Sequence, residues 1–297
     1  MKKTLPLLLA LLMLLSLAAC GGKAGSADGG LLGGPRGDWR MTRMTTYDRN
    51  GRSYGWIEYE YDAKGSRLKE SSLTPDGEVS AAIENEFDAD GHMIKCSIIQ
   101  YLFSSEGYVE AWAEFEYDDQ GRMICERRYS SQGNVTEVYS FTYDARGNVT
   151  ERILCDSDGT VRGRVEFEYD GEGHMVMKTS YYNGSLDDSC AYEYSPEGRL
   201  IRETKYGSQG DVYTVVDHEY DDNGYEIRET CTCKNARSSY TAVFENDANG
   251  NRIRDTRYDY DGVIERWTEY EWQYFDGAVQ DRDRGLNAGD PALPIPT

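Results

Sequence analysis

Cysteine and histidine are the residues of this sequence that could carry nucleophilic or metal chemistry, and their spacing supports neither. Cys231-Thr232-Cys233 is spaced like half a zinc site, but no second cysteine pair or matched histidine accompanies it. His92 and His174 follow turn glycines, and His218 takes a position on an aromatic strand face. Because no Ser/His/Asp or Cys/His group stands out, we expect no catalytic residue, no metal site, no cofactor and no enzyme activity.

Aspartate-rich segments are the second set of residues that could do chemistry, in this case calcium binding. Asp88-Ala89-Asp90-Gly91 and Asp156-Ser157-Asp158-Gly159 look like parts of a calcium loop, but they lack the remaining ligands and the closing glutamate. Aspartate also caps its own backbone in a turn, and glycine adopts the positive φ that follows. The segments therefore predict turns, with weak surface calcium binding as the open alternative.

An aromatic-Asp-x-x-Gly turn recurs along the chain and sets its organisation. The steps between successive turns are 25 to 30 residues long, and Asn246 and Trp272 continue the series at the aromatic position. The aromatic residues are Tyr61, Phe87, Tyr117, Tyr143, Tyr169, Tyr194 and Tyr220. A weaker second turn lies twelve residues after most of them, so each unit is a hairpin. Nine units predict an all-β fold, a long antiparallel meander of about 18 strands.

The strand before each main turn alternates in polarity with a period of two, as in Phe115-Glu116-Tyr117. This pattern is typical of an antiparallel strand that buries its aromatic side. The other side carries a column of glutamates: Glu60, Glu86, Glu116, Glu168, Glu193, Glu219, Glu245 and Glu271. An apolar residue follows seven positions after most of the aromatics, with Lys or Arg beside it. We expect these charges to form cross-strand ion pairs rather than a binding surface.

A flat sheet of about 18 strands would be roughly 85 Å wide and would leave its aromatic face uncovered. We favour a single sheet that is curled or closed into a shell or barrel, with a flattened barrel and a packed dimer as alternatives. A round barrel of this size has an aqueous interior, which suits 24 tyrosines against 7 phenylalanines. The outward face is too acidic to predict a membrane pore.

Six cysteines follow Cys20, an even number that normally indicates disulfides in an exported protein. They are Cys96, Cys125, Cys155, Cys190, Cys231 and Cys233. The first three fall on the same strand type of successive units, about 9–10 Å apart, because one strand lies between each. The last three have no cysteine on a neighbouring strand. The repeat therefore predicts mostly free thiols.

The repeated motif resembles the YD (tyrosine–aspartate) repeat of RHS-type proteins between Tyr47 and Trp272. In that family the repeats wind a long antiparallel sheet into a shell, and they have been linked to carbohydrate binding. Some small secreted bacterial proteins with similar repeats are thought to form a porin-like barrel. The resemblance implies the fold and a non-catalytic binding role.

The first residues predict export. Lys2 and Lys3 precede an apolar run that is short for a membrane span and ends in small residues, as in a signal peptide. Leu17-Ala18-Ala19-Cys20 resembles the lipobox of bacterial lipoproteins, which implies lipidation at Cys20. We therefore predict a signal peptide (1–19), a lipidated, Gly-rich flexible tether (20–37), a repeat domain (38–277) and a disordered tail (278–297). The protein is expected on the outer face of the cytoplasmic membrane or on the cell surface, with its lipid as membrane anchor.

The net charge of -21 argues against nucleic acid as a partner, because phosphate binding needs a basic face. One hypothesis is a polysaccharide that stacks on the aromatic face. The residues would be Tyr117, Tyr143, Tyr169, Tyr194 and Tyr220. The alternative is a structural or interaction lipoprotein with an envelope protein as partner and no small ligand.

Overall fold

Eighteen β-strands form nearly all of the chain that the structure, a computed structural model, describes: residues 39–101 and 106–275. No α-helix occurs in these residues, and Ala236–Ser238 form a 3₁₀ turn. The predicted signal segment, Cys20, the tether and the tail lie outside them. The strands are β1 (Trp39–Asp48), β2 (Ser53–Tyr61), β3 (Arg67–Leu73), β4 (Val79–Phe87), β5 (Met93–Gln100), β6 (Tyr108–Tyr117), β7 (Met123–Ser130), β8 (Val135–Tyr143), β9 (Val149–Asp156), β10 (Val161–Tyr169), β11 (Met175–Tyr182), β12 (Ser185–Tyr194), β13 (Leu200–Gly207), β14 (Val212–Tyr220), β15 (Glu226–Cys233), β16 (Tyr240–Asn246), β17 (Arg252–Asp259) and β18 (Ile264–Tyr274).

The sheet closes on itself as a barrel. Each strand pairs antiparallel with its neighbours in sequence, and β18 returns to pair with β1, from Trp39 opposite Tyr274 to Asp48 opposite Arg266. The prediction of an all-β meander of 18 strands in one closed sheet is therefore confirmed. Closure gives the edge strands hydrogen-bonding partners that an open ribbon would lack. None of the helical segments in the described ranges has the length and apolar character of a membrane-crossing helix.

Seven of the eight main turns are closed by an aspartate, and Ser195 takes its place in the turn between β12 and β13. In the turn between β6 and β7, the Asp118 carboxylate accepts hydrogen bonds from the backbone N–H groups of Gln120 and Arg122. Gly121 donates its N–H to the Asp118 carbonyl and has a φ of 75°, a conformation that favours glycine. The same carboxylate bonds recur at Asp62, Asp88, Asp144, Asp170, Asp221 and Asp247, and also at Asp48 in the turn between β1 and β2. One oxygen of each of these carboxylates is thus occupied by the backbone.

The tyrosine before each main turn ties its strand to the start of the preceding strand. The Tyr117 hydroxyl donates a hydrogen bond to the Met93 carbonyl oxygen at 2.7 Å. The equivalent donors are Tyr61, Tyr143, Tyr169, Tyr194 and Tyr220, and their acceptors are the carbonyls of Met41, Met123, Val149, Met175 and Leu200. This tyrosine–carbonyl bond links successive hairpins near the main-turn end of the barrel.

Units without a tyrosine at this position keep the bond with another donor. Asn246 and Trp272 donate side-chain N–H groups to the equivalent carbonyls, at 2.9 and 2.7 Å. Phe87 has no donor, and Asn85 two residues earlier donates to the Arg67 carbonyl at 2.9 Å. Because the donor side chain changes while the hydrogen bond remains, we infer that the bond is a structural feature of every repeat unit.

The seam between β18 and β1 repeats the packing found inside the sheet. On the outer face, the Trp112 ring covers Gly133 in the turn between β7 and β8, 3.7 Å from where a Cβ would lie. The same contact recurs at Trp56 with Gly77 and, across the seam, at Trp267 with Gly51. The two ends of the repeat array therefore meet in the register that two internal units use.

The two faces of the wall differ in burial. The face that carries the turn aromatics lies inside. Its buried apolar residues Ala81, Ile83, Cys96 and Ile98 pack together, and we call them the apolar patch. The opposite face carries the predicted glutamate column, and all eight of its members are exposed. Lys and Arg on neighbouring strands pair with several of them, as expected: Lys95 with Glu86, Arg228 with Glu219, and Arg254 with Glu245.

A bulge at the start of the strand that follows a main turn sends an apolar residue outward. In β15, Glu226 pairs with Tyr220 and Arg228 pairs with Glu219, which leaves Ile227 between them without a partner. Ile227 is exposed, and so are the equivalent residues Leu68, Ile94, Ile124, Ile201 and Ile253. The bulge also sets the side on which the preceding residue lies, so that Glu226 points into the barrel.

Candidate functional site

The five tyrosines predicted to bind a polymer lie on the inner face, one on every second strand from β6 to β14. Each uses its hydroxyl hydrogen in the bond to a backbone carbonyl described above. Burial raises the pKa of Tyr143 to about 12, so that its hydroxyl remains a donor at neutral pH. The polar atom that would recognise a ligand is therefore already engaged in the fold.

Most of these rings also have a partner on one face. The His92 ring stacks on Tyr117 and the His174 ring on Tyr194, with centroids 4.8 and 4.7 Å apart. The Arg122 guanidinium lies 4.9 Å from the Tyr143 centroid, and the Arg199 guanidinium lies 5.8 Å from that of Tyr220. The ligand role of the five tyrosines stays a prediction, and their contacts explain them as structural residues.

Nine residues after most of the turn aromatics, the inner face carries a residue that is usually charged. These residues are Glu70, Cys96, Glu126, Arg152, Lys178, Glu203, Glu229 and Asp255, and we call them the inner charged ring. Its two bases lie on β9 and β11, whereas three acids follow one another on β13, β15 and β17. Burial raises the pKa of the Glu70 carboxyl, which is 4% exposed. The interior thus combines aromatic rings with charged groups.

One sector of the inner wall concentrates these charges around a histidine. His218 lies directly opposite Glu229 in the register of β14 and β15. Its Nδ1 is 2.7 Å from Glu226 Oε1, and its Nε2 is 3.4 Å from Glu203 Oε1. Arg252 Nη2 lies 2.8 Å from the other oxygen of Glu226. We call these five residues the charged patch.

The charged patch is largely shielded from water. The side chains of His218 and Arg252 are 6% and 2% exposed. Burial lowers the pKa of His218, but the Glu203 and Glu226 carboxylates more than offset this effect and raise it to about 9. Sequence reasoning found His218 on the aromatic face and missed its partners, because only the bulge at Ile227 brings Glu226 inside.

A second group of potential metal ligands lies at a main turn. Asp170, Glu172 and His174 bring one ligand atom each within 4.8 Å of the others. His174 Nδ1 is 3.1 Å from Asp170 and 3.8 Å from Glu172, whose side chain is exposed. The Asp170 carboxylate also caps the turn, so the geometry of this group follows from turn chemistry.

All six cysteines of the described residues are free thiols. Burial raises the pKa of Cys190 to about 11, which disfavours the reactive thiolate. Cys231 and Cys233 lie on the same face of β15, with their Sγ atoms 3.6 Å apart. This close pair lies within one strand rather than across two neighbouring strands.

The outer face carries an open groove across the seam. It has a volume of about 570 Å³ and spans β16, β17, β18, β1 and β2, which at about 4.8 Å per strand extends some 19 Å. We call it the seam groove, and it is lined by Arg43, Thr45, Tyr47, Ser53, Trp56, Glu245, Ile253, Arg254, Glu269, Tyr270 and Glu271. These residues are far apart in sequence and meet only because the barrel closes.

Aromatic rings and paired charges form the floor of the seam groove. Tyr47 stacks on Trp267, with centroids 5.4 Å apart and ring planes at 18°. Trp56 donates its indole N–H to Glu58 at 2.9 Å and lies beneath the Arg43 guanidinium, whose carbon is 4.9 Å from the ring centroid. These contacts fix the rings with polar groups beside them, and sequence reasoning had no signal for the groove.

Comparison with known sequences matches part of the chain and gives no function. A family model described as "Uncharacterised protein" matches residues 109–196. No curated protein matches the chain.

Solved structures give similarities at the level of the fold. A porin-like protein from Bacteroides uniformis is 12% identical, with a TM-score of 0.45 over 78% of this chain and 96% of its own. A porin-like protein from Bacteroides vulgatus is 11% identical, with a TM-score of 0.38 over 78% and 98%. The Tc holotoxin pore of Photorhabdus luminescens is 11% identical, with a TM-score of 0.29. The alignment covers 77% of this chain but only 15% of the toxin chain. Similarities of this size carry no conclusion about function.

Proposed function

We propose that this chain is an exported, lipid-anchored envelope protein of the YD-repeat type that binds glycan without catalysis. The observation that carries the proposal is the seam groove, in which the Tyr47–Trp267 stack and Trp56 lie beside arginines and carboxylates. The lipid on Cys20 would hold the barrel at the membrane surface, and the groove would meet polymers outside the cell.

The chemistry of the seam groove suits a sugar chain. Flat aromatic rings pack against the apolar C–H faces of sugars, and they do so with little loss of side-chain freedom. Arg43 and Arg254 offer charged donors, while Glu245, Glu269 and Glu271 offer acceptors for hydroxyl groups. An elongated, open groove fits an extended polymer better than a small enclosed molecule.

The same outer position elsewhere in the barrel provides a matched control. Trp112 stacks on Tyr129 with centroids 5.0 Å apart, covers a turn glycine as Trp56 does, and donates to a glutamate two residues later. It lies on β6, outside the seam groove. Replacing Trp112 therefore removes a ring of the same structural type without touching the proposed site.

The test is thermal unfolding of the chain from Gly21 with a panel of soluble polysaccharides and peptidoglycan fragments. At a concentration a hundred times Kd, a ligand that binds only the folded state adds about 2.7 kcal/mol, or a rise in Tm of roughly 5–10 °C for a barrel of this size. We expect such a rise with one glycan class. It should be lost in Tyr47→Ala and Trp56→Ala and kept in Trp112→Ala.

The eight exposed glutamates favour a second candidate, a scaffold that binds a basic protein partner. Binding of that kind would weaken strongly as salt is raised, because exposed charges are screened. Stacking of a neutral glycan in the seam groove would change little with salt. The absence of a Tm shift with any glycan would count against the first function and leave the scaffold.

A further inference from the structure

We propose that the charged patch is a binding site for a divalent transition-metal ion, held by His218, Glu226 and Glu229 on the inner wall of the barrel. This site is separate from the seam groove and does not depend on glycan binding. One imidazole and two or more carboxylates are a ligand set that suits Mn²⁺, Fe²⁺ or Zn²⁺.

The first argument is a local departure from the repeat. Two residues before the turn aromatic, the other units carry an aromatic ring or asparagine: Tyr59, Asn85, Phe115, Phe141, Phe167, Tyr192, Phe244 and Tyr270. Six residues after it, five units carry an apolar residue: Met93, Met123, Val149, Met175 and Leu200. Only the hairpin of β14 and β15 places His218 at the first position and Glu226 at the second. Both changes introduce a metal-ligating side chain, and they occur in the same hairpin.

The second argument is geometric. One ligand atom each from His218, Glu226 and Glu229 lies within 4.8 Å of the others. An ion with bonds of about 2.0–2.2 Å spans up to about 4.4 Å between opposite ligands, so side-chain adjustments of less than 1 Å bring the three onto one ion. The Tyr240 hydroxyl donates a hydrogen bond to Glu229 and orients its carboxylate, as hydrogen-bond donors behind the ligands do at metal sites.

The third argument concerns charge and hydrogen bonding. Three carboxylates, of Glu203, Glu226 and Glu229, face the guanidinium of Arg252 and the imidazole of His218. A dication that displaces the second proton of His218 balances the two carboxylate charges that Arg252 leaves over, and its binding releases that proton. The His218 side chain is 6% exposed, yet its Nε2 makes no hydrogen bond and has Glu203 Oε1 at 3.4 Å as an ion-pair partner. Glu203 and Glu226 retain 15% and 13% exposure, which leaves a route for an ion from the interior water.

The test is a titration of the full chain from Gly21 with Mn²⁺, followed by electron paramagnetic resonance and by calorimetry. A Zn²⁺ titration is made in parallel on the Cys231→Ser/Cys233→Ser chain, because thiolates compete for the softer ion. We expect one ion per chain. His218→Phe and Glu229→Gln should each weaken binding at least tenfold.

The substitutions are chosen to separate binding from folding. His218→Phe restores the residue that four other units carry at this position, and Glu229→Gln keeps an acceptor for Tyr240, so both variants should unfold near the wild-type Tm. His174→Phe is the matched control, because it makes the same change in the exposed turn group of Asp170 and Glu172. It should leave the affinity unchanged. The proposal is overturned if neither ion saturates below 1 mM, or if binding survives His218→Phe or is lost in His174→Phe.

Discussion

The apolar patch on β4 and β5 and the charged patch on β13, β14, β15 and β17 occupy the same inner wall in different ways. In the first, Ile83 and Ile98 are almost fully buried among apolar neighbours. In the second, Arg252 is buried to a similar degree and His218 somewhat less, and both lie among carboxylates. Both patches lie between strands with the same turns and the same cross-strand donor bonds.

This contrast shows that the repeat keeps a constant framework of turns and backbone hydrogen bonds, while the inner side chains vary. The turn aspartates, the tyrosine–carbonyl bonds and the closed backbone ladder are present in both sectors. The inner residues between them differ from apolar to ionic. The backbone hydrogen bonds and the turns fix the geometry of the wall. Charged side chains are therefore tolerated at an inner position where they would destabilise a core held together only by apolar contacts.

The largest effect is expected from Arg252→Met in the charged patch. This change leaves the Glu226 carboxylate buried without its guanidinium, and breaking a buried pair in this way costs about 3–5 kcal/mol. Urea unfolding followed by circular dichroism measures the loss. The control is the double variant Glu226→Met/Arg252→Met, which should regain most of the stability. A single variant as stable as wild type would mean that the pair is not buried as described.

The apolar patch should respond next most strongly, to Ile98→Ala. Removing this side chain opens a cavity among Ala81, Ile83 and Cys96 and should cost about 2–4 kcal/mol. Val216→Ala, on the inner face of β14 beside the charged patch, removes two carbon atoms where Ile98→Ala removes three, and should cost less because it leaves a smaller cavity. Equal losses in the two variants would remove the distinction between the two patches.

A smaller loss of stability, equal in the two sectors, is expected when a tyrosine–carbonyl hydrogen bond of the shared framework is removed. Tyr117→Phe, beside the apolar patch, and Tyr220→Phe, beside the charged patch, each remove one hydroxyl and leave one carbonyl without its donor. Each should lower the free energy of unfolding by about 1 kcal/mol. If only one of the two matters, the framework is not common to both sectors. Tm by differential scanning calorimetry is the measurement.

The smallest effect is expected on the outer face. Lys95→Met and Arg228→Met remove exposed partners of the glutamate column, next to the apolar and the charged patch respectively. Such surface pairs contribute about 0–1 kcal/mol, and less as salt rises. We expect both variants to unfold within about 0.5 kcal/mol of wild type at 150 mM salt, a range typical of surface substitutions. A loss above 1 kcal/mol would assign the outer ion pairs a structural role.

The sequence by itself determined the local plan of this protein. The 26-residue period, the Asp-x-x-Gly turns and the alternation in segments such as Phe115-Glu116-Tyr117 predict the hairpins, the strand number and the two faces. These features are local: a turn needs a capping carboxylate and a glycine with positive φ, and an antiparallel strand alternates its sides with a period of two. The glutamate column could be read from the sequence for the same reason.

Only the tertiary structure decided how the sheet closes into a barrel and which side chains come into contact. The pairing of β18 with β1 joins residues more than 200 positions apart, and it brings together Tyr47, Trp56 and Tyr270, which line the seam groove. The acceptors of the tyrosine hydroxyls are carbonyls of another strand, which no side-chain pattern reveals. The bulge that exposes Ile227 turns Glu226 toward His218, because one extra residue shifts every later side chain to the other face. Register and closure are properties of the paired backbone, and they decided both candidate sites.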